Sequence, residues 1–412
     1  MKTDEKISGQ VQLFREEISS ELIHILNWWR DNMTDHRHGG FYGRMDGNGV
    51  LHPESDKGAV LNARILWAFS AGAKIPKDTS YEEMAHRAYD YFITHFIDKV
   101  YGGVYWMIDF MGKPVENKKQ VYAQAFAVYA LSEYYLLSGK QEAIDGAFEI
   151  FNLIEKHSLD IEYGGYTEAL NREWGTLDDV RLSDKDQQAT KTMNTHLHLL
   201  EAYTQLYKVT QAKEVREALQ HLIRLFIDRF VDIKSGHLHL FFDQQWNLLS
   251  DIDSYGHDIE ASWLLVEAAE ALEDEALIEE TKRVSVLLAD AVLRDGVAPD
   301  GSLYNERHGD HPDKDRHWWQ QAEAVVGFWN AFQITNNQTF LDASLRTWDY
   351  IKQFVVDNST SLTPLTPLTQ EWHWRIDDIG NPILSEDKAG PWKCPYHNSR
   401  MCIEIIIRLN FL

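Results

Sequence analysis

Histidine, arginine, glutamate and tryptophan gather in five segments that lie far apart in the chain. Near the C-terminus runs Gly390-Pro391-Trp392-Lys393-Cys394-Pro395-Tyr396-His397-Asn398. It is too rich in proline and aromatics for ordinary helix, yet it leads straight into the apolar segment Met401 to Leu409. The expected result is a loop that offers Trp392 and His397 and is pinned by the helix behind it. In Ser254 to Trp263, His257 and Glu260 stand at i and i+3 at a helix start. A carboxylate beside an imidazole raises its basicity and fixes its orientation, so Glu260 is expected to support His257. The same spacing occurs in metal sites, but this pair has no second acidic partner, and proton transfer with no metal is the preferred reading. In Met193 to Glu201, His196 and His198 are two apart and cannot share a helix face. Asn194 and His198, at i and i+4, do share one, so His198 is expected to face the site. Asn62 to Trp67 sets Arg64 inside an apolar helix. It either pairs with a buried acid or stabilises an oxyanion. His317 to Ala324 brings Trp318, Trp319 and Glu323 to another helix start; one indole is expected in the core and the other, with Glu323, in a sugar-binding wall. Two imidazoles from opposite sides suit removal of a proton from one face of a carbon and its return on the other. That is epimerisation or isomerisation next to a carbonyl, with Arg64 on the enediolate oxygen.

These segments need a frame that brings them together. Gly-rich aromatic stretches recur at His38-Gly39-Gly40-Phe41-Tyr42, Tyr101-Gly102-Gly103-Val104-Tyr105 and Tyr163-Gly164-Gly165-Tyr166. Looser versions follow at Ser235 to Leu238, Asp300 to Tyr304 and Glu371 to Trp374. The spacing is roughly 60 to 70 residues, a repeat signature. Turns at Asp46 to Gly49 and Met111 to Lys113 mark small hairpins. Between them lie helical patterns that are apolar nearly all round: Ala59 to Ala71, Val121 to Leu137, Thr192 to Tyr207, Asp258 to Leu272 and His317 to Phe332. Each precedes a more amphipathic helix: Tyr81 to Phe96, Gln141 to His157, Lys213 to Phe230, Asp274 to Leu293 and Gln338 to Phe354. Adding Gln10 to Asn32 as the first helix of the ring, the pattern predicts an all-α (α/α)6 barrel. Apolar helices would form its inner ring, amphipathic ones its outer ring, and short β-hairpins the loops around the mouth. An open solenoid is the alternative. No linker divides residues 1–412, so one catalytic domain is expected.

The net charge of −24 argues against a nucleic-acid partner. The 14 tryptophans favour a carbohydrate site, although bulky core accounts for most of them. The first residues lack a secretory apolar stretch, no run approaches a membrane span, and Cys394 and Cys402 are the two cysteines. A reduced cytoplasmic protein, monomer or homodimer, with a small sugar as its partner is expected.

At Asn62 to Trp67, Met193 to His198, Tyr255 to Trp263, Trp318 to Ala324 and Trp392 to His397 the chain resembles the N-acylglucosamine 2-epimerase superfamily, and within it the cellobiose 2-epimerases. The segments follow family order and span nearly the whole chain. The resemblance implies an (α/α)6 barrel and cofactor-free, reversible C2 epimerisation of a reducing-end glucose or mannose unit. It further implies that His257 and His397 exchange the C2 proton and that Glu260 supports His257. His198 would assist ring opening, and Arg64 would hold the C2 and enediolate oxygens. Tyr122 and Asn194 match substrate contacts, Trp392 the platform under a second sugar, and Asp186 a polar partner there. Gln187-Gln188-Ala189-Thr190-Lys191 departs from the Asn-Glu-Lys-Lys-like stretch of many cellobiose epimerases, which keeps a mannose 2-epimerase as the nearest rival. A glycoside hydrolase on the same barrel is the reading from another class, and a non-catalytic sugar-binding protein a third.

Overall fold

The apolar periodicity resolves into twelve helices among the described residues of a computed structural model, which describes residues 2–183, 187–358 and 371–410. They are α1 (Lys2–Met33), α2 (Ala59–Gly72), α3 (Thr79–His95), α4 (Val121–Ser138), α5 (Gln141–His157) and α6 (Met193–Thr210). The second half holds α7 (Lys213–Leu225), α8 (Tyr255–Leu272), α9 (Glu275–Asp295), α10 (Trp318–Thr335), α11 (Gln338–Tyr350) and α12 (His397–Leu409). Helices α7 and α11 each end in one wider, π-type turn, Phe226–Phe230 and Ile351–Val355. None of the described helices is long and apolar enough to cross a membrane.

Even-numbered helices pack side by side in the order α2, α4, α6, α8, α10, α12 and back to α2, so the inner ring closes. Closure explains their composition. Every residue of α2 is buried, because such a helix has neighbours on both flanks, the barrel interior on one side and an outer helix on the other. The outer helices bury one stripe only; α7 buries Val215, Ala218, Leu219, Leu222 and Ile223, the 3–4 spacing of an amphipathic helix. The first helix differs from the expected order. It is an outer helix and packs on α12, so the two ends of the chain complete one pair and seal the ring.

The loops at the N-terminal ends of the inner helices are tied by short strands. Hairpins form at Met107–Ile108 with Pro114–Glu116 and at Glu306–His308 with His311–Asp313. Most pairing instead joins consecutive units: Lys57–Gly58 with Met107–Ile108, Lys119–Gln120 with Ala169–Leu170, Lys191–Thr192 with Phe241–Phe242, Ile252–Ser254 with Glu306–His308, and Arg316–His317 with Arg375–Ile376. Strands of two or three residues are too short to stand as free hairpins, so each borrows the backbone of the next unit.

The repeated Gly-Gly segments are turns built on an aspartate. Asp35 accepts the backbone N–H of Arg37 and His38 at 2.9 and 2.8 Å, and Asp98 those of Val100 and Tyr101 at 3.0 and 3.3 Å. Gly103 has φ +68° and a Cβ there would sit 2.6 Å from the Trp174 ring, which requires glycine. A buried lysine just ahead of the next inner helix answers each aspartate: Lys57 to Asp35 at 2.9 Å, Lys119 to Asp98 at 3.1 Å, Lys191 to Asp160 at 2.9 Å. The same clamp therefore fixes where three successive inner helices begin. Cys394 and Cys402 are buried free thiols.

Candidate active site

The N-terminal ends of the inner helices surround a cavity of about 220 Å³. Helix α2 contributes Arg64, α4 Tyr122, α6 Asn194 and His198, α8 His257 and Glu260, α10 Trp318 and Trp319, and α12 His397; Trp374 and Trp392 enter from loops. The mouth thus faces six helix N-termini, whose dipoles favour negative charge. A larger cavity, about 830 Å³, lies at the opposite end of the barrel. Most of its charged groups are paired, Lys74 with Glu133, Lys208 with Glu267, Arg408 with Glu404 and Lys282 with Glu279, and no histidine lines it.

Three of the cavity imidazoles are held through Nδ1. His397 is the first residue of α12 and not part of the loop before it; its Nδ1 lies 2.7 Å from Glu323 Oε1. His198 Nδ1 lies 3.0 Å from Glu201 Oε2. A carboxylate there fixes the Nδ1–H tautomer and leaves the lone pair on Nε2. His257 Nδ1 instead meets the Ser254 hydroxyl at 2.8 Å. His257 and His397 pack against one indole, that of Trp319, with ring centroids 4.8 and 5.6 Å away. His196 lies off the cavity, with Nδ1 2.7 Å from Thr192 O and Nε2 accepting the Tyr166 N–H at 2.9 Å.

Two expected roles change. Glu260 does not support His257, and Glu323 is not a sugar wall. Both carboxylates turn to Arg400, whose guanidinium is 1 % exposed and donates to Glu260 Oε1 at 2.5 Å and Glu323 Oε1 at 2.7 Å. A buried guanidinium attracts carboxylates more strongly than a neutral imidazole one turn away can. Arg400 also donates to Glu201 and, at 2.5 Å, to the Tyr396 hydroxyl. Glu260, Glu323 and His397 could each offer a ligand atom within 4.8 Å of the others, which supplies the second acid that the sequence reading lacked. Arg400 already provides the positive charge at that place.

Arg64, 2 % exposed, has no carboxylate partner among the described residues. It donates to the Tyr122 hydroxyl at 2.8 Å and lies 4.2 Å from the Phe126 ring centroid. Its Nε and the Oδ1 of Asn194 are buried without a hydrogen-bond partner, as expected of groups that await an oxygen-rich ligand. Burial, with His198 nearby, pushes His257 down to about 3, and burial with the two arginines pushes His397 well down. Both are therefore neutral bases near pH 7. Burial and the like charge of Glu323 push Glu260 up to about 7, against the pull of Arg400. Burial would raise Glu201 as well, but Arg400 and His198 hold it at about 2. Trp392 lies 5.9 Å from Trp106 and 6.0 Å from Tyr122 by ring centroids, forming an aromatic wall.

The pattern of the N-acylglucosamine 2-epimerase (GlcNAc 2-epimerase) family matches residues 40–398. The chain belongs to this family. Among similar proteins, a cellobiose 2-epimerase of Bacteroides fragilis is 45 % identical, over 96 % of this chain and 99 % of that one. A cellobiose 2-epimerase of Ruminococcus albus is 41 % identical over 95 % and 98 % of the two chains. The solved structure of cellobiose 2-epimerase from Bacillus thermoamylovorans superposes with a TM-score of 0.90 at 40 % identity, covering 96 % of this chain and all of that one. This member of the GlcNAc 2-epimerase family brings Arg64, Tyr122, Asn194, His198, His257, Glu260, Trp318, Trp319, Trp392 and His397 to one cavity, with Glu323 directly behind His397. Asp186 lies outside the described residues. Sequence reasoning missed Arg400, Glu201, Ser254 and Trp374. Glu201 was within reach, because it stands at i+3 from His198, the spacing that singled out Glu260.

Proposed function

We propose that the protein catalyses reversible C2 epimerisation of the reducing-end unit of a β-1,4-linked disaccharide, interconverting cellobiose and 4-O-glucosyl-mannose. The observation that carries the reading is the pair His257 and His397, both with Nδ1 tethered and both against Trp319. The full-length likeness to cellobiose 2-epimerases supports the substrate class. In this mechanism His198, oriented by Glu201, moves the proton that opens the sugar ring. One imidazole then takes the proton from C2 of the open aldehyde. The electrons pass to the carbonyl oxygen and leave an enediolate, which Arg64, the Tyr122 hydroxyl and the helix N-termini stabilise. After the intermediate presents its other face, the second imidazole, which entered the turnover protonated on Nε2, returns that proton to C2, and the first imidazole keeps the one it took. The reverse reaction exchanges the roles, and no electrons leave the sugar. Trp392 lies under the second sugar. Buried, unlinked thiols suit a reducing cytoplasm.

A mannose 2-epimerase is the rival reading. Gln187 and Ala189 line a small side cavity of about 50 Å³ that shares Asn194 and His257 with the main one, so the altered 187–191 loop bears on what sits beside the reacting sugar. The hydrolase reading loses ground, because Glu260 and Glu323 share one guanidinium instead of standing apart as an acid and a free carboxylate. Proton NMR in D2O decides among these. Deuterium entering C2 of the cellobiose reducing end, with 4-O-glucosyl-mannose appearing, is the expected result. Exchange with mannose alone makes the enzyme a mannose 2-epimerase. Free glucose without exchange replaces the epimerase with a hydrolase.

A further inference from the structure

The floor of the cavity holds more buried charge than the chemistry above uses. Arg400 of α12 is 1 % exposed and binds carboxylates from three other helices: Glu201 of α6, Glu260 of α8 at 2.5 Å and Glu323 of α10 at 2.7 Å. Two of these carboxylates hold the Nδ1 atoms of His198 and His397. On the cavity side stands Arg64 of α2, without a carboxylate. The other titratable groups facing the cluster are neutral: Tyr122 and Tyr129 of α4, Tyr396 and Cys394, all pushed up by burial. Toward the opposite end, Glu404 and Glu267 are answered by Arg408 and Lys208, and behind α12 Lys393 is answered by Glu371. The cluster itself therefore counts three carboxylates against two guanidiniums. With the imidazoles left out of the count it carries one excess negative charge, which one proton cancels.

We infer that Arg400 is a positioning residue that sets the proton inventory of the site at one. That is the number a two-histidine epimerisation needs: one imidazole as acid, the other as base, with the same total after each turnover in either direction. Without Arg400 the excess becomes two negative charges, a second proton is drawn in, and the imidazoles are freed as bases only at higher pH. With two carboxylates instead of three, the excess vanishes and the acid is lost. Glu260, which lines the cavity and is raised to about 7, is the resting place of the proton between turnovers. Only the use made of the proton rests on the epimerase reading.

Charge-count variants test this in the full-length protein. Two readouts apply: the pH profile of kcat/KM on cellobiose, and 13C NMR titration of glutamate carboxyls and histidine rings without substrate. Arg400→Gln moves the acid limb and the cluster titrations up by about one pH unit or more. Glu260→Gln moves them down by a similar amount. Arg400→Gln/Glu260→Gln restores the count and brings both back toward the parent, as does Arg400→Lys. A folded Arg400→Gln protein with an unmoved limb overturns the inference. So does a double variant that keeps the full displacement of the single one. Should Arg400→Gln fail to fold, an unmoved limb in Glu260→Gln overturns it equally. The NMR titration needs no turnover, so a parent protein inactive on every sugar would sink the epimerase reading while leaving the charge count open to test.

Discussion

At the residue scale, the His397–Glu323 contact decides which nitrogen of His397 is left with its lone pair. The carboxylate accepts the Nδ1–H at 2.7 Å and is itself fixed by Arg400 and by the Trp263 indole N–H at 3.0 Å. A Glu323→Gln substitution keeps the shape but puts an amide where the charge was, so the preferred tautomer is lost and an imidazolium is less well supported. The expected result is a fall in kcat of roughly 10²- to 10⁴-fold with little change in KM. Steady-state kinetics on cellobiose checks it, and a tenfold or greater rise in KM at unchanged kcat would instead make Glu323 a binding group. Arg64, His198, His257 and His397 were legible because cations and imidazoles in apolar or aromatic settings are costly unless used. Arg400 was not. In His397-Asn398-Ser399-Arg400 it has the appearance of a solvated first turn, and its three carboxylates come from helices 77 to 199 positions away. The same invisible charge defeated the His257–Glu260 pairing, since local spacing cannot report a stronger partner from another helix.

At the element scale, four of the six inner helices end alike. After α4, α6, α8 and α10 the C-cap is left-handed: Gly139, Gln211, Glu273 and Asn336, with φ of 65°, 52°, 55° and 55°. Glycine and asparagine suit that conformation; glutamine and glutamate are strained there. Glu273 is also exposed and sets a negative charge at the negative end of the α8 dipole. Glu273→Gly is expected to stabilise the protein by about 0.5–1 kcal/mol, read as a higher midpoint in chemical denaturation; a lower midpoint would mean that the glutamate makes up for its strain elsewhere. Apart from α1, which begins eight residues ahead of the expected Gln10, the helices themselves were readable to within a few residues, because burial on every side of an inner helix leaves an all-apolar pattern and an outer helix leaves a stripe. The strand pairing was not readable. A segment such as Lys191–Thr192 has no pattern of its own, and its partner, Phe241–Phe242, belongs to the next unit.

At the scale of the whole molecule, closing the ring aims six helix N-termini at one cavity, so the fold itself supplies part of the field that an enediolate needs. The junctions between units then control stability, and one of them is sensitive to pH. His237 is 1 % exposed and bridges Asp258 in the first turn of α8, at 2.7 Å, to Asp295 at the end of α9, at 3.0 Å. Burial opposes its charge, but the two carboxylates outweigh burial and raise it from 6.5 to about 9. A group raised on folding lends stability that is complete below its unfolded value and is lost as pH climbs through its folded value. The folded protein should therefore lose on the order of 2–3 kcal/mol between about pH 6.5 and somewhat above pH 9. On the acid side the signs reverse. The desolvation of Asp35, Asp98 and Asp160 is outweighed by Lys57, by Arg172 with Lys119, and by Lys191 respectively, which holds all three below the usual carboxylate range. Their contribution is present above about pH 4 and disappears below it. Urea midpoints measured across this span should trace a plateau between the two limbs. His237→Gln should lower the plateau and flatten the alkaline limb while leaving the acid limb in place. An alkaline limb that stays as steep in His237→Gln would assign it to general repulsion in a chain of net charge −24, and not to the α8–α9 junction.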